Sequence, residues 1–506
     1  MRRECSLNTR GGKPVKLADL LTNVDCLKVV GGLDLEITGI NQDSRSVVAG
    51  DLFICLKGVK VDGHQYLKQA AERGAVAAIV EDWPEADYGL TIIRVEKAAV
   101  ALKVIAGAFY GYPDRKLKLI GVVGTNGKTT TTYLMKSILE AAGYRVGLIG
   151  TINYLIGDRA LPATNTTPGF LELQKLFAQM VAAGVEYVVM EVSSHSIHQG
   201  RVAGLKFKGG IFTNITQDHL DYHGTFDEYL KVKAKFFQDL PADAWAAINN
   251  DDPNAAAIIA GTKARVYTYG INNQASVRAE DVKVVQSGVS YRAATFRGTV
   301  ALELNLTGYF NVYNSLGTLT AGLAEGLDPS EVKQGLEGVT VVPGRFQRVP
   351  EAETFGVIID YAHTPDGLEN ILKTARKITS RRLLLVFGCG GDRDRAKRPI
   401  MGEIAARMAD FTIITSDNPR TEDPLAIIKD IEAGFSKVKT AAYQIEADRA
   451  LAIRKIIAMA EKDDLVMIAG KGHETYQDFG DHRIHFDDGE VVREALKERF
   501  DGLLQA

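Results

Sequence analysis

Residues 121–132 read GVVGTNGKTTTT. An apolar run over 117–123, interrupted by Lys118, enters a turn that holds Gly124 and Gly127. Lys128 and four threonines follow, and then YLMKSILEAAG, which has the make-up of a helix. A strand, a glycine-containing turn and a helix in that order form a cradle for phosphate. Backbone N–H groups of the turn point inward, the helix N-terminus adds partial positive charge, and the lysine adds a full one. Gly124, Thr125, Asn126, Gly127, Lys128, Thr129 and Thr130 are therefore the expected nucleotide loop, with the Thr129 or Thr130 hydroxyl offered to Mg²⁺. The general pattern G-x-x-x-x-G-K-[ST] requires glycine where this chain has Val122, so the loop is a short form. GTNG alone reads as an ordinary turn, since Asn-Gly is a strong turn dipeptide. The GKT that follows, between a strand and a helix, is the rarer combination.

Composition bounds what such a loop serves. A chain of 506 residues exceeds one core and points to about three domains. A net charge of −3 argues against a nucleic-acid surface built on bulk charge. No run of about 18 apolar residues occurs, so no membrane span is expected. The opening MRRECSLNTRGGKPVKL carries charge without an apolar core and does not read as a secretory signal. Cys5, Cys26, Cys55 and Cys389 show no paired spacing, which fits a reduced cytoplasmic setting without a zinc site. Cys389 lies in a glycine-rich loop and is read as a small residue packed beside a tight turn rather than a nucleophile. A monomer is expected.

Short strands and helices mix over 1–112, among them LEITGI, DLFICL and QYLKQAAERGAVAAIVE. Pro113 and the charged DRKLK mark a linker. Beyond it VGLIGTINYL, YVVMEVSS, GGIFTNI and AWAAINND alternate with LELQKLFAQMVAAG and EYLKVKAKFFQDL, the pattern of a parallel doubly wound sheet. Residues 275–306 read as β-hairpins appended to that unit, a helix follows at NSLGTLTAGLAEGL, and VVPGRF marks a second boundary. FGVIIDYAH, RLLLVFGCG, FTIITSDNP and DLVMIAGKG then look like strands that each feed a polar loop, where open α/β sheets bind ligands. The expected fold is α/β in three domains. An N-terminal mixed α/β domain covers 1–112, a central phosphate-loop doubly wound domain covers 113–342, and a C-terminal Rossmann-like domain covers 343–506.

GTNGKTT resembles the ATP loop of the Mur ligase family, ATP-dependent enzymes that add amino acids to a UDP-linked cell-wall precursor. The resemblance continues through NTTPG (165–169), EVSSHSIHQGR (191–201), TNITQDHLDYHG (213–224), GYFNVYNSL (308–316), PGR (343–345), DYAHTPD (360–366), GCGGDRDRAKRP (388–399), DNPR (417–420) and AGKGHE (469–474). These stretches keep the family's order and cover most of the chain. The resemblance implies a cytoplasmic ligase of peptidoglycan precursor synthesis, using ATP and Mg²⁺. It implies joining meso-diaminopimelate to the D-glutamate γ-carboxylate of UDP-N-acetylmuramoyl-L-alanyl-D-glutamate through an acyl phosphate. The N-terminal domain would then bind the UDP part. Rival readings keep the chemistry with L-lysine as amine donor, or with glutamate as in folylpolyglutamate synthases. A P-loop transport or signalling ATPase would need a strand ending in Asp where this chain has Glu191-Val-Ser-Ser-His.

Making an amide from a carboxylate requires a γ-phosphate cradle, charge-neutralising Mg²⁺, and pockets for acyl substrate and amine. Lys128 supplies the cradle's charge. Glu191, ending an apolar strand, is a candidate Mg²⁺ ligand, although an exposed strand-end glutamate would look the same. His219 and His223 have the spacing of a zinc pair, but no third soft ligand is near. By resemblance His219 neighbours Mg²⁺. Lys231, Lys233 and Lys235 read as a solvated run, yet a spacing of two does not put all three on one helical face. The resemblance selects Lys233, four residues after Tyr229, as the lysine whose carbamylated form joins Thr129, Glu191 and His219 around metal.

The resemblance also assigns Asn165, Thr166, Thr167, Ser193, Gln199 and Arg201 to the muramoyl and pyrophosphate groups, and Ser44 of DSR, by itself a plausible turn, to the UDP. Asn311 and Asn314 fall to the adenine, with Arg345 and Asp360 reaching the nucleotide when domains close. Diaminopimelate has a carboxylate that lysine lacks, and gripping it calls for arginine. DNPR offers Arg420 and GDRDR offers Arg393; Asp417, Asn418 and Glu474 can receive ammonium groups, beside Pro419 and Gly470. DNPR alone would be a proline turn.

Overall fold

The computed structural model describes residues 14–58, 61–352 and 354–502. Cys5 and most of the charged opening segment lie outside the described residues. Three large sheets organise the chain. The central one has 11 strands. Seven of them pair in parallel in the spatial order Val146–Ile149, Tyr187–Glu191, Lys118–Val123, Phe207–Phe212, Trp245–Asn249, Arg265–Gly270 and Val277–Val285. Lys118–Val123 is therefore interior, and its side chains alternate between two cores. Leu119 and Val123 face one, with helices Phe170–Ala182 and Phe226–Gln238. Ile120 and Val122 face the other, with Lys128–Ala141 and Tyr309–Glu325. Burial on both faces explains why this strand reads as a nearly continuous apolar run.

One expectation needs correction. VGLIGTINYL is not one strand. It folds into Val146–Ile149 and Asn153–Ile156, paired antiparallel, and Arg159–Pro162 extends that edge. The Glu191 side chain fills the space over Gly150 and accepts the Thr151 N–H at 2.8 Å, which turns the chain there. Residues 275–306 form the expected hairpins, appended to the edge of the central sheet. Val277–Val285 pairs in parallel with Arg265–Gly270, and Gly288–Thr295 and Gly298–Leu304 continue the same sheet as an antiparallel meander.

The C-terminal sheet runs Gln347–Arg348, Gly356–Asp360, Leu465–Ala469, Leu383–Phe387, Phe411–Ile414, Tyr443–Ile445, and all but the first strand are parallel. Alternation again divides two cores: Leu383, Leu385 and Phe387 against Leu384 and Val386. Arg449 and Asp488, both fully buried, pair through two 2.8 Å hydrogen bonds, and Arg449 also donates to Ala469 O at 3.1 Å. That pair ties helices Arg449–Met459 and Asp488–Phe500 to the strand end that opens into Gly470. The N-terminal sheet has 5 strands, with helix Ala98–Tyr110 on one face and helix Leu67–Glu72 on the other. Among the described residues no helix is long and apolar enough to cross a membrane.

Candidate active site

The phosphate loop needs both its glycines. Gly127 has φ of 84°, and Asn314 Oδ1 occupies the space of a side chain there; at Gly124 Thr213 Oγ1 does the same. The chain after strand Phe207–Phe212 braces the loop. Asn214 O accepts Thr125 N–H at 2.9 Å, its Oδ1 accepts Asn126 N–H at 2.9 Å, and Thr213 Oγ1 donates to Asn126 O at 2.6 Å. Lys128 Nζ donates to Gly124 O at 2.9 Å and Thr125 O at 2.8 Å. Burial lowers its pKa, opposed by Glu191 and Asp218.

Lys233 donates to the same Gly124 carbonyl at 2.8 Å, is 1% exposed, and lies 4.5 Å from the Tyr229 ring centre. Burial first, and the Lys128 charge second, push its amine well below the ordinary lysine range. Lys231 and Lys235 instead stand exposed and pair with Glu228 and Asp239. Glu191 is no exposed strand end. It is 1% exposed, its two oxygens taking the Thr151 N–H at 2.8 Å and the Thr151 hydroxyl at 3.1 Å. His219, at φ 53°, caps the short helix Leu220–His223 and packs edge-on to His195 at 4.9 Å. Burial lowers its pKa, helped by Lys128 and Lys233 and opposed by Asp218. His223 engages Ser194 Oγ at 3.0 Å, and burial with its neighbouring imidazoles brings it to about 4.

A second strip adjoins this cluster. Thr151 and Thr166 hydroxyls meet at 3.1 Å, and Thr167 Oγ1 donates to Glu191 O at 2.7 Å. The Ser193 N–H donates to Thr167 Oγ1 at 3.1 Å. Arg201 donates to Thr167 O at 2.7 Å and grips Gln199 Oε1 with two N–H groups, while Gln199 reaches Tyr222 at 3.1 Å. Asn165 engages Tyr154 through its backbone and leaves its side chain exposed. Ser44 is buried and donates to Gln69 at 2.6 Å, and Gln42 of the same segment lies against Gly169.

The C-terminal sheet abuts the loop. Arg345 Nη2 donates to Thr129 Oγ1 at 3.2 Å, and Asp366 accepts from Asn126 at 3.3 Å. Asn311 and Asn314 are buried beside Gly127 and bond to each other at 2.9 Å. Asp360 does not touch the loop. Burial raises its pKa, and it receives the Phe346 and Ala362 N–H groups at 2.6 and 2.8 Å, shaping the turn that carries Arg345.

At the carboxyl edge of the C-terminal sheet, Asn418 Nδ2 donates to Glu474 at 2.8 Å, and Lys471, fully buried, donates to Asn418 Oδ1 at 3.1 Å and Glu474 at 3.3 Å. Arg420, at φ 52°, donates to Gly391 O at 2.7 Å, and its backbone N–H bonds Asp478 O. Asp417 Oδ2 fills the space of a side chain at Gly470, and Pro419 O lies against Gly391. Arg393 is exposed, with its guanidinium on Asp392 O, and its Cγ lies with Arg420 Nη1 against Gly390. The Cys389 thiol is buried 3.7 Å from Met401 Sδ and pushed up to about 12, which suits packing and not nucleophilic attack. Asp62, His64 and Asp82 cluster in the N-terminal unit, but both His64 nitrogens are engaged, Nδ1 with Asp62 and Nε2 with the Glu81 and Asp82 N–H groups.

Residues 36–110 match the Mur ligase family catalytic domain, 122–322 the Mur ligase middle domain, and 344–472 the Mur ligase glutamate ligase domain. A Geobacillus thermodenitrificans protein called UDP-N-acetylmuramoyl-L-alanyl-D-glutamate–2,6-diaminopimelate ligase is 47% identical over 491 residues, 96% of this chain and 100% of its own length. The chain belongs to the Mur ligase family. A Clostridium acetobutylicum protein called UDP-N-acetylmuramoyl-L-alanyl-D-glutamate–2,6-diaminopimelate ligase 1 is 46% identical, covering 96% of this chain and 100% of its own. A solved structure of an enzyme of the same activity superposes with a TM-score of 0.68 at 31% identity, covering 96% of this chain and 100% of that one.

In this Mur ligase, sequence reasoning missed several residues that shape the site. Thr151 holds Glu191, Asn214 braces the loop, Asp366 joins the C-terminal unit to Asn126, and Lys471 sets the Asn418–Glu474 pair. Lys471 had a signal, a lysine inside the polar AGKGHE. Thr151 had none, because its role exists only where two strand ends meet.

Proposed function

We propose that this Mur ligase uses ATP to join meso-diaminopimelate to UDP-N-acetylmuramoyl-L-alanyl-D-glutamate, acting as a cytoplasmic monomer built from domains 1–112, 113–342 and 343–506. The observation that carries the reading is the amine-side cluster: Arg420, held by Gly391 O, beside Asp417, Asn418 and Glu474. A guanidinium among carboxylates and an amide complements a diamino dicarboxylic acid.

Lys128 and the loop N–H groups hold the transferring phosphoryl. The substrate carboxylate attacks it, forming an acyl phosphate and releasing ADP. The amine, having given up a proton to solvent or a carboxylate, then bonds to the acyl carbon, phosphate leaves with its oxygen, and loss of the remaining ammonium proton gives the amide. Thr129, Glu191, His219 and Lys233 fit Mg²⁺: Glu191 is a buried carboxylate without a cation partner among the described residues, and the His219 imidazole is held towards its neutral, ligating form. Mg²⁺ there would neutralise charge on the phosphates. Only a neutral amine adds to CO₂. Lys233, pushed low by burial, is suited to form that N–C bond, losing a proton to give an anionic carbamate.

The test is ADP formation with each substrate omitted in turn. Turnover should need both the UDP-muramoyl dipeptide and diaminopimelate. Equal turnover with lysine, or turnover with ATP alone, would overturn the assignment.

A further inference from the structure

Between the N-terminal and central units lies a cavity of about 340 Å³. Its wall combines helix Ala98–Tyr110, the linker after it, helix Phe170–Ala182 and the loop ahead of Phe207. Lys103, Arg115 and Lys206 line it with one carboxylate, Asp114. Among the described residues none of the three cations has a carboxylate partner. Gln174 also lines the cavity, is 0% exposed, and neither its Oε1 nor its Nε2 has a hydrogen-bond partner. A buried amide with both ends unmatched is rare, because burial removes its water without replacement.

The cavity is separate from Ser44 and borders the Gln199–Arg201 strip only at Gly200. Ser44 and its partner Gln69 sit with helix Leu67–Glu72, whereas Lys103 is on helix Ala98–Tyr110, which covers the opposite face of the N-terminal sheet. A net excess of cations with an amide able to donate and accept fits a small oxyanion. We propose that this cavity binds a dianion of the phosphate or dicarboxylate class, held by Lys103, Arg115, Lys206 and the Gln174 amide. Burial lowers the Lys103 pKa, and an anion bound beside it would favour the charged form again. Lys103 Nζ also lies within 3.8 Å of where a side chain at Gly200 would begin, next to Gln199 and Arg201, so occupancy would stiffen that strip.

The test is calorimetric titration of the full chain with inorganic phosphate and, separately, malonate, at fixed ionic strength. Wild type, Lys103→Met and Gln174→Leu are compared, with Lys128→Ala added to remove phosphate binding at the nucleotide loop. Binding of one or both dianions should persist in Lys128→Ala and weaken at least ~10-fold in Lys103→Met and in Gln174→Leu. Gln174→Leu should not lower the urea midpoint in the absence of dianion, since no protein partner is lost. Binding of equal strength in wild type, Lys103→Met and Gln174→Leu, or no binding of either dianion once Lys128 is replaced, would overturn the proposal. So would a large destabilisation by Gln174→Leu.

Discussion

Arg420 and Lys233 carry the sharpest consequences at the scale of single residues. Arg420→Ala should lower kcat/KM for diaminopimelate at least ~10-fold, since losing a hydrogen bond to a charged group costs about 1.5–3 kcal/mol. Lysine has no second carboxylate, so its use should not fall in parallel. Equal losses for both amines would mean that Arg420 only braces Gly391 O. Lys233→Ala should lose most activity and recover part of it with added short carboxylates, read by steady-state rates. A crystal structure of the active enzyme showing unmodified Lys233 would count against carbamylation. The lysine run was legible as a sequence, and the 3.6-residue period separates its members. That Lys233 shares Gly124 O with Lys128 was not, because the two residues meet across two elements.

Elements are held by a few buried polar ties, and these set the response to mutation and acid. Removing one member of the Arg449–Asp488 pair leaves a buried charge, so Asp488→Ala should cost about 3–5 kcal/mol in urea unfolding. Arg449→Met with Asp488→Leu should recover much of that loss. His473 packs at a tilt against Tyr361 at 4.8 Å, and burial lowers its pKa from 6.5 to about 3. The unfolded chain then binds more protons between those values, so this group makes stability fall as pH drops from 6.5 towards 3. His473→Phe keeps an aromatic ring against Tyr361 and should flatten the urea midpoint between pH 6.5 and 5. An unchanged slope would remove His473 from that account.

For the whole molecule, the junction of central and C-terminal units is made by Arg345 on Thr129 and Asp366 on Asn126. Arg345→Ala should raise the KM for ATP more than that for diaminopimelate, measured by varying each in turn, because Arg420 lies on other loops. The sequence by itself determined the alternation of strands and helices, the buried central strand and the phosphate loop, since each is a local pattern in a continuous stretch. It merged Val146–Ile149 with Asn153–Ile156, because the turn between them depends on Glu191, some forty residues away. Only the tertiary structure decided which polar groups remain free. Ser44 turns to Gln69, Asp360 to its own turn, Arg393 to solvent, and Gln174 to a cavity walled by two units. A motif names a residue, but its hydrogen-bond partners come from segments far along the chain, and close packing fixes them only when the chain has folded.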